Sequence, residues 1–590
     1  MIDFQSYIGR IKQTSPGEVA YRARRLLLAQ TLKHAALKQK PMIAVPRWEQ
    51  EKVHQLQLPR FDFTPQVNTN RNGQPPKGGT PSTLNTDPAS IRAFENACQN
   101  LFFTSVGRRC GGIDIRSVWE PARLQHLVRS FLLGEPPEIH AAQAEVLQWI
   151  ADNPFLQGPH YLSPMECGLR VPVFFYCLKS MADASQQDAD IIAEAIYRHA
   201  WWIYRNLSLH NSLGNHTVCE CLGLIFAGAV FGHTREGEKW LTRGCHLLDQ
   251  EICHQILPDG GPAEQSTAYA RFVLDLYWLA FHFLRGNGLH DCQRWRKRLE
   301  GGETFLAAFA IDKNRYIPFG DSDDGHAVAP GLHPHRAAPQ QPAERIQHFD
   351  ASGYTVVRDG DLLMTFDHGP LGMAPLYNHG HADALSLTLR INGLPFLIDP
   401  GTYCYNSDLE FRRYFKGTSA HNTITIDGMD QAIQASSFIW RKPFSCGLSF
   451  FQDDKDALIL RALHNGYMRL KRPVLHLRTV VWDRQSTILL LDTFEGKGSH
   501  DYSLHFHLHP QAISRRHRSH WIVENQGVQL RIHFLGPYQV KEHMGELDPL
   551  LGWFSPGYGV KEPCQVLVAR QNGDPNQVVF KTLLTWQGIH

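Results

Sequence analysis

The sequence predicts an α+β multidomain protein in which an all-helical half precedes an antiparallel β half. Three observations carry this prediction. A chain of 590 residues exceeds what one hydrophobic core supports, so more than one domain is expected. From about residue 90 to 310 the apolar residues recur with a helical period. After about residue 345 they alternate in short β-branched runs closed by Asn-Gly and Asp-Gly turns.

Residues 1–89 read as an appended N-terminal region. A basic amphipathic helix, with Tyr21, Leu26, Leu27, Leu28 and Leu32 on or near one face, leads to an irregular connector. That connector runs from Thr64 to Ala89 and is rich in Pro, Gly, Asn and Thr. Residues 90–345 form the helical domain, with helical segments that include Val118 to Leu133, Val218 to Val230 and Gln265 to Leu284. Helices separated by short Gly, Pro or Asn breaks make antiparallel pairs, which can stack as a bundle, a solenoid or a closed toroid. Residues 346–590 form the β domain, where runs such as SGYTVVRDGDLLMTF, STILLLDTF and VQLRIHFL are strands of an antiparallel sandwich. Clefts between domains are favoured ligand sites, so the chemistry is expected where the halves meet.

Lys and Arg number 59 against 57 Asp and Glu, and they are scattered. No whole-protein field points to nucleic acid or a membrane surface, so an anionic ligand must be met by a local site. The 32 histidines favour proton transfer or metal ligation near neutral pH. Twelve cysteines without CxxC pairs fit free buried thiols in a reducing compartment. No run reaches the roughly 20 apolar residues of a membrane span, and the first residues lack the apolar stretch of a signal peptide. Cytoplasm is the expected compartment, with the periplasm or export as the alternative.

Four clusters carry candidate chemistry. In NSLGNHTVCE, Asn215 and His216 follow Gly214 where a helix should begin; Asn211 and Asn215 stand four apart, as do His216 and Glu220, so Glu220 can orient the imidazole. The bland reading is a capped helix with a core histidine. In DGGPAEQSTAY, Pro262 sits at a first helical position and Glu264, Gln265, Ser266 and Tyr269 fill the opening turns. Tyr269 can protonate a leaving oxygen if its hydroxyl faces the cleft; otherwise it is a packing residue.

The third cluster joins NHGHADALSL, LIDPGTY and TSAHNTI. His379, His381 and Asp383 alternate at the head of a strand, with Asp399 and His421 at the edges of later strands. Two imidazoles and a carboxylate match a divalent site of zinc type. The second His-x-His run, His505 to His509, has no acidic company and reads as sheet histidines. The fourth, GDSDDG at 320–325, fails the spacing of a calcium loop and reads as a hydrogen-bonded acidic turn.

In this order the GNH-x3-E helix start, DGG-x-x-EQS-x-x-Y, NHGHAD and DPGTY with its following R-R-Y-F and AHNT resemble the heparinase II/III-like superfamily of polysaccharide lyases. The likeness covers roughly residues 90–590. It implies an incomplete α/α toroid joined to an antiparallel β-sandwich. The implied activity is β-elimination on a uronic-acid-containing glycan, whether glycosaminoglycan-like, alginate-like or a bacterial exopolysaccharide. The partner is then an anionic polysaccharide or oligosaccharide.

Carried over residue by residue, the resemblance has Asn215 neutralise the uronate carboxylate, with His216 as helper or as base for one C5 epimer. Tyr269 becomes the acid, and a candidate base as well, and His379 the base or proton carrier. The family's divalent metal, usually zinc, falls to His381, Asp399 and His421. Glu220, Glu264, Gln265, Arg271 and Tyr405 are assigned to substrate binding, as are Arg412 and Arg413 with Lys416, Arg being the better bidentate partner of carboxylate or sulfate. Family members often place His directly after the tyrosine, where this chain has Ala270 and then Arg271. Elimination also demands such a layout on physical grounds, because the C5 proton beside a charged carboxylate is too weakly acidic for an unaided imidazole. The rivals are a glycoside hydrolase on a toroid, using Glu220, Glu264 and the acids at 321–324, and a carbohydrate-binding protein without turnover.

Overall fold

The computed structural model describes residues 15–37, 43–63, 88–106, 113–182, 185–210, 213–313, 315–337, 345–518 and 520–587. The connector at 64–87 and Asn211 lie outside them.

The helical half is built on helix Asn215–Val230, which packs against Pro164–Lys179, Arg235–Gln255 and Thr267–Gly286 and is buried over nearly its whole length. Two glycines allow the closest crossing. A Cβ on Gly168 would stand 2.5 Å from the Cys219 carbonyl oxygen, and one on Gly223 would stand 2.8 Å from the Gly168 Cα. Backbone therefore meets backbone, and the N-terminus of Asn215–Val230 is fixed in place. Side-chain caps set the starts of neighbouring helices: Thr234 accepts from the Gly237 amide and Ser266 from the Tyr269 amide.

Three expectations are corrected in this half. Val118 to Leu133 is not one helix, because Pro121 and the left-handed Leu124 divide it into Ile115–Trp119, two short 3-10 turns and Val128–Leu133. Pro262 does not open a helix. It sits in a turn bridged to Ile256, Gln265 takes φ +50°, and the helix starts after the Ser266 cap, leaving Glu264 and Gln265 in the turn. In helix Pro16–Leu37 the leucines do not share a buried face; Leu32 is buried while Leu26 and Leu27 are each 66% exposed, since successive helical residues turn by about 100°.

Among the described residues of the β half, three antiparallel sheets of four or more strands share a common interior. A five-stranded meander runs from Ile346–Phe349 to Leu394–Leu397, and an eight-stranded sheet spans Cys446–Asp453 at one edge to Ile513–His517 at the other. A four-stranded sheet orders Gln539–Met544, Gln565–Gly573, His500–His507 and Ile424–Ile426. Met364, Leu389, Ile424, Leu490, Phe506 and Leu584 meet in one core, so the sheets face each other as a sandwich. The segment carrying His379, His381 and Asp383 is not the head of a strand. It is an irregular stretch that reaches strand Leu387–Ile391 only after Leu385 at φ +64°, so period-two alternation does not position these side chains. Among the described residues no helix is long and apolar enough to cross a membrane.

Candidate active site and metal centre

The acidic turn at 320–325, between the last long helix and the sandwich, organises the site. Gly320 is its hinge point: φ is +60°, and a Cβ there would lie 2.0 Å from the Gln265 carbonyl oxygen and 2.8 Å from that of His379. Only glycine fits between the two backbones. The Asp321 amide donates to the His379 carbonyl at 2.8 Å, and Ser266 Oγ donates to the Asp321 carbonyl.

Asp321 is fully buried and holds three cationic or imidazole partners. Arg412 clamps it through both guanidinium nitrogens, with Nη2 at 2.9 Å from Oδ2; His379 Nδ1 lies 3.1 Å from Oδ2 and His381 Nε2 lies 3.1 Å from Oδ1. Burial pushes the carboxyl up, but Arg412 and the hydrogen bonds from both histidines outweigh it and hold Asp321 well below the usual carboxylate range. An anionic Asp321 can only accept, so each histidine donates the N–H facing it. In a neutral imidazole that leaves the lone pair on His379 Nε2 and on His381 Nδ1. One carboxylate thus favours opposite tautomers on two histidines that stand two residues apart.

The lone-pair nitrogens face different surroundings. His379 Nε2 stands 3.4 Å from Asn215 Nδ2 and 3.5 Å from Glu264 Oε2, and its ring stacks on Tyr269 with centroids 3.7 Å apart. Glu264 accepts from the Asn215 amide at 2.7 Å and from Asn215 Nδ2 at 2.8 Å, which fixes the carboxamide at the helix start. His381 Nδ1 is buried without a hydrogen-bond partner among the described residues, as is His421 Nε2. His421 Nδ1 lies 3.2 Å from Asp399 Oδ2. Donor atoms of His381, Asp399 and His421 lie within 4.8 Å of one another, all buried. Two orphaned imidazole lone pairs beside a carboxylate fit a divalent cation, and the Asp321 contact behind His381 is the carboxylate support that such ligands use.

Asp323, two residues on, serves the tyrosines. Its Oδ2 accepts from Tyr269 at 3.0 Å and Tyr405 at 2.9 Å, and Arg116 Nη1 lies 3.0 Å away. Burial raises Asp323, but Arg116 and these hydrogen bonds keep it below its ordinary value. Burial, then the charge of Asp323, drives the Tyr269 hydroxyl well above an ordinary phenol.

The structure brings Asn215, Glu264, Tyr269, His379 and Tyr405 together and seats Arg412 behind them, but it changes several assignments. Glu220 is fully buried and its carboxylate accepts from the Ser208 amide and hydroxyl, so it faces the helix interior and not a substrate; burial pushes it up to about 8 against those hydrogen bonds. Arg412 is committed to Asp321, and Lys416 lies buried over Trp440, so neither guanidinium nor ammonium is free for a glycan anion. Glu264 holds Asn215, and Gln265 donates to the Ser352 carbonyl. His216 is partly exposed, with its charge acting on Glu166. Arg271 is partly exposed and acts on Asp275, while Arg413 is exposed on helix Leu409–Phe415.

Asp321, Asp323 and Arg116 are positioning groups that no sequence pattern marks. The acids stood in plain view in GDSDDG; what the sequence lacked was any mark of which partners would converge on each.

A helical half followed by an antiparallel sandwich places the chain in the toroid-and-sandwich class of folds. Within it the chain belongs to the heparinase II/III-like superfamily: residues 141–329 match the heparinase II/III N-terminus and residues 341–581 the heparinase II/III-like C-terminal region. A heparin-sulfate lyase of Bacteroides thetaiotaomicron is 22% identical over 342 residues, 51% of this chain and 47% of that protein. One of Bacteroides stercoris is 21% identical over 384 residues, 58% of this chain and 52% of that protein. The chain spans about half the length of the curated relatives it matches. A crystal structure of heparinase III superposes with a TM-score of 0.66 at 15% identity, covering 89% of this chain and 88% of that one. A heparan sulfate lyase mutant from Pedobacter heparinus gives 0.60 at 16% identity, covering 92% and 87%. These likenesses establish the fold, an incomplete α/α toroid followed by an antiparallel β-sandwich.

Proposed function

We propose that the chain is a polysaccharide lyase that cleaves a uronic-acid-containing glycan by β-elimination, with residues 90–345 as its helical unit and 346–590 as its sandwich unit. The observation that carries this reading is the stack of Tyr269 on His379, with Asn215 beside the lone-pair nitrogen. Asn215 neutralises the uronate carboxylate, and His379 Nε2 takes the C5 proton. Tyr269, kept protonated by burial and by Asp323, gives its proton to the departing O4 oxygen. Electrons from the C5–H bond form the C4–C5 double bond as the C4–O4 bond breaks. His216 stands on the same helix start and is the alternative base for the other C5 epimer.

A divalent ion, with zinc as the first choice, is proposed at His381 Nδ1, Asp399 and His421 Nε2, where it supplies a fixed positive charge. Burial lowers the His381 imidazole against the pull of Asp321, which keeps it in the neutral, ligating form. Hydrolysis by paired carboxylates is disfavoured, because Glu220, Glu264, Asp321 and Asp323 are each taken up by protein partners.

Incubation with heparan, chondroitin, hyaluronan, alginate and bacterial exopolysaccharides tests the reading. Near-ultraviolet absorbance of an unsaturated uronide is expected with at least one polymer. New reducing ends without that absorbance would identify a hydrolase instead, and binding without cleavage a carbohydrate-binding protein.

A further inference from the structure

We propose that His507 is a third imidazole donor to the metal centre, joining His381, Asp399 and His421. The inference rests on the reading of that trio as a metal site. Strand His500–His507 sends Tyr502, Leu504 and Phe506 into the sandwich core, so His505 and His507 emerge on its other face. His507 ends the strand between two ligand-bearing segments. Its amide donates at 2.7 Å to Asn422 Oδ1, one residue past His421. Its carbonyl accepts at 3.1 Å from the amide of Ile398, one residue before Asp399.

The ring itself is unaccounted for by hydrogen bonding. His507 is fully buried, and neither ring nitrogen has a hydrogen-bond partner among the described residues. Leaving a buried polar atom unsatisfied is costly to the fold, so an imidazole with both nitrogens bare calls for a ligand. His505, on the same face, leaves only Nδ1 without a partner, and the Thr423 and Ser503 backbone carbonyls act as acceptors on its ring.

His507 stands outside the set of atoms that lie within 4.8 Å of one another. Rotation about its side-chain torsions is the movement the proposal requires. Three imidazoles and one carboxylate would close a four-coordinate zinc shell, leaving no open position. The ion would then act as a structural clasp for the segments around 381, 399, 421 and 507, with proton transfer left to His379 and Tyr269.

X-ray absorption of the full-length protein loaded with one equivalent of zinc tests this directly. A shell of three imidazoles and one carboxylate is expected; a shell with two imidazoles overturns the inference while leaving the metal centre intact. Failure to take up zinc overturns both. In the cobalt-loaded protein, His507→Phe should lose the visible bands of a four-coordinate ion and release the metal to a chelator at least about tenfold faster. His505→Phe should change neither. Identical spectra and release for His507→Phe and wild type would sink the assignment, and if that variant does not fold, the wild-type absorption measurement decides alone.

Discussion

The two faces of the seam hold their functional groups by different means. On the helical face, Asn215 is the first residue of a long buried helix and Tyr269 sits in the first turn of another, capped by Ser266. On the sandwich face, His379, His381, Asp399 and His421 stand in irregular segments, and the first two are fixed by one buried carboxylate. Helical groups take their position from regular backbone, whereas the loop groups take theirs from buried charge. The first kind of residue can be truncated with loss of chemistry alone; the second should lose chemistry, metal and stability together.

The sharpest contrast comes from Tyr269→Phe. We expect the lyase rate to fall by about 10²–10⁴, the usual worth of a general acid, with the unfolding midpoint close to wild type. A variant with full activity would remove Tyr269 from the mechanism. On the other face, Asp321→Ala leaves Arg412 buried without its partner and should cost about 3–5 kcal/mol in chemical denaturation, with loss of bound metal. Adding Arg412→Met should recover most of the stability but not the metal, because the His381 tautomer stays unfixed. If stability returns together with metal, the tautomer argument fails.

A smaller effect sits inside the helical half. Glu220 is raised to about 8 by burial, so the folded state binds its proton more tightly than the unfolded chain. Its contribution is fully present below the ordinary carboxylate pKa and is lost as pH rises towards 8. Relative to Glu220→Gln, the wild-type melting temperature should therefore decline between pH 5 and 9; parallel curves would show that Glu220 does not titrate there. The smallest expected change is in Asp323→Asn. Removing that charge lowers the Tyr269 pKa, so the alkaline limb of the rate profile should move to lower pH, while a shift in the opposite direction would show that Asp323 does not bear on the phenol.

The sequence was most informative where local rules apply. Gly214 before Asn215 marked a helix start that forms as expected, and the turn-rich alternation after residue 345 marked the sandwich. It misled where a chain segment is shaped by distant partners. The NHGHAD segment has the spacing of a strand, yet Gly380 lies so close to the Leu371 carbonyl that a Cβ there would be 1.5 Å from the oxygen. That backbone contact, invisible in a local pattern, makes the loop. Arg412 had the chemistry of a substrate clamp, but an acid 91 residues earlier claims it. Long-range electrostatic pairing leaves no periodic trace, so the roles of Asp321 and Asp323 could not be read from spacing.

Asp321 has a consequence for modularity. The proposed base nitrogen and the proposed metal-facing nitrogen are both oriented by a residue that belongs to neither strand nor helix, on the turn that joins the halves. A sandwich transplanted onto a foreign toroid would carry His379 and His381 but leave their protonation pattern behind. Recombination between relatives should therefore succeed only at crossovers that keep residues 320–325 with the sandwich they serve, which makes this short turn the unit of inheritance for the site.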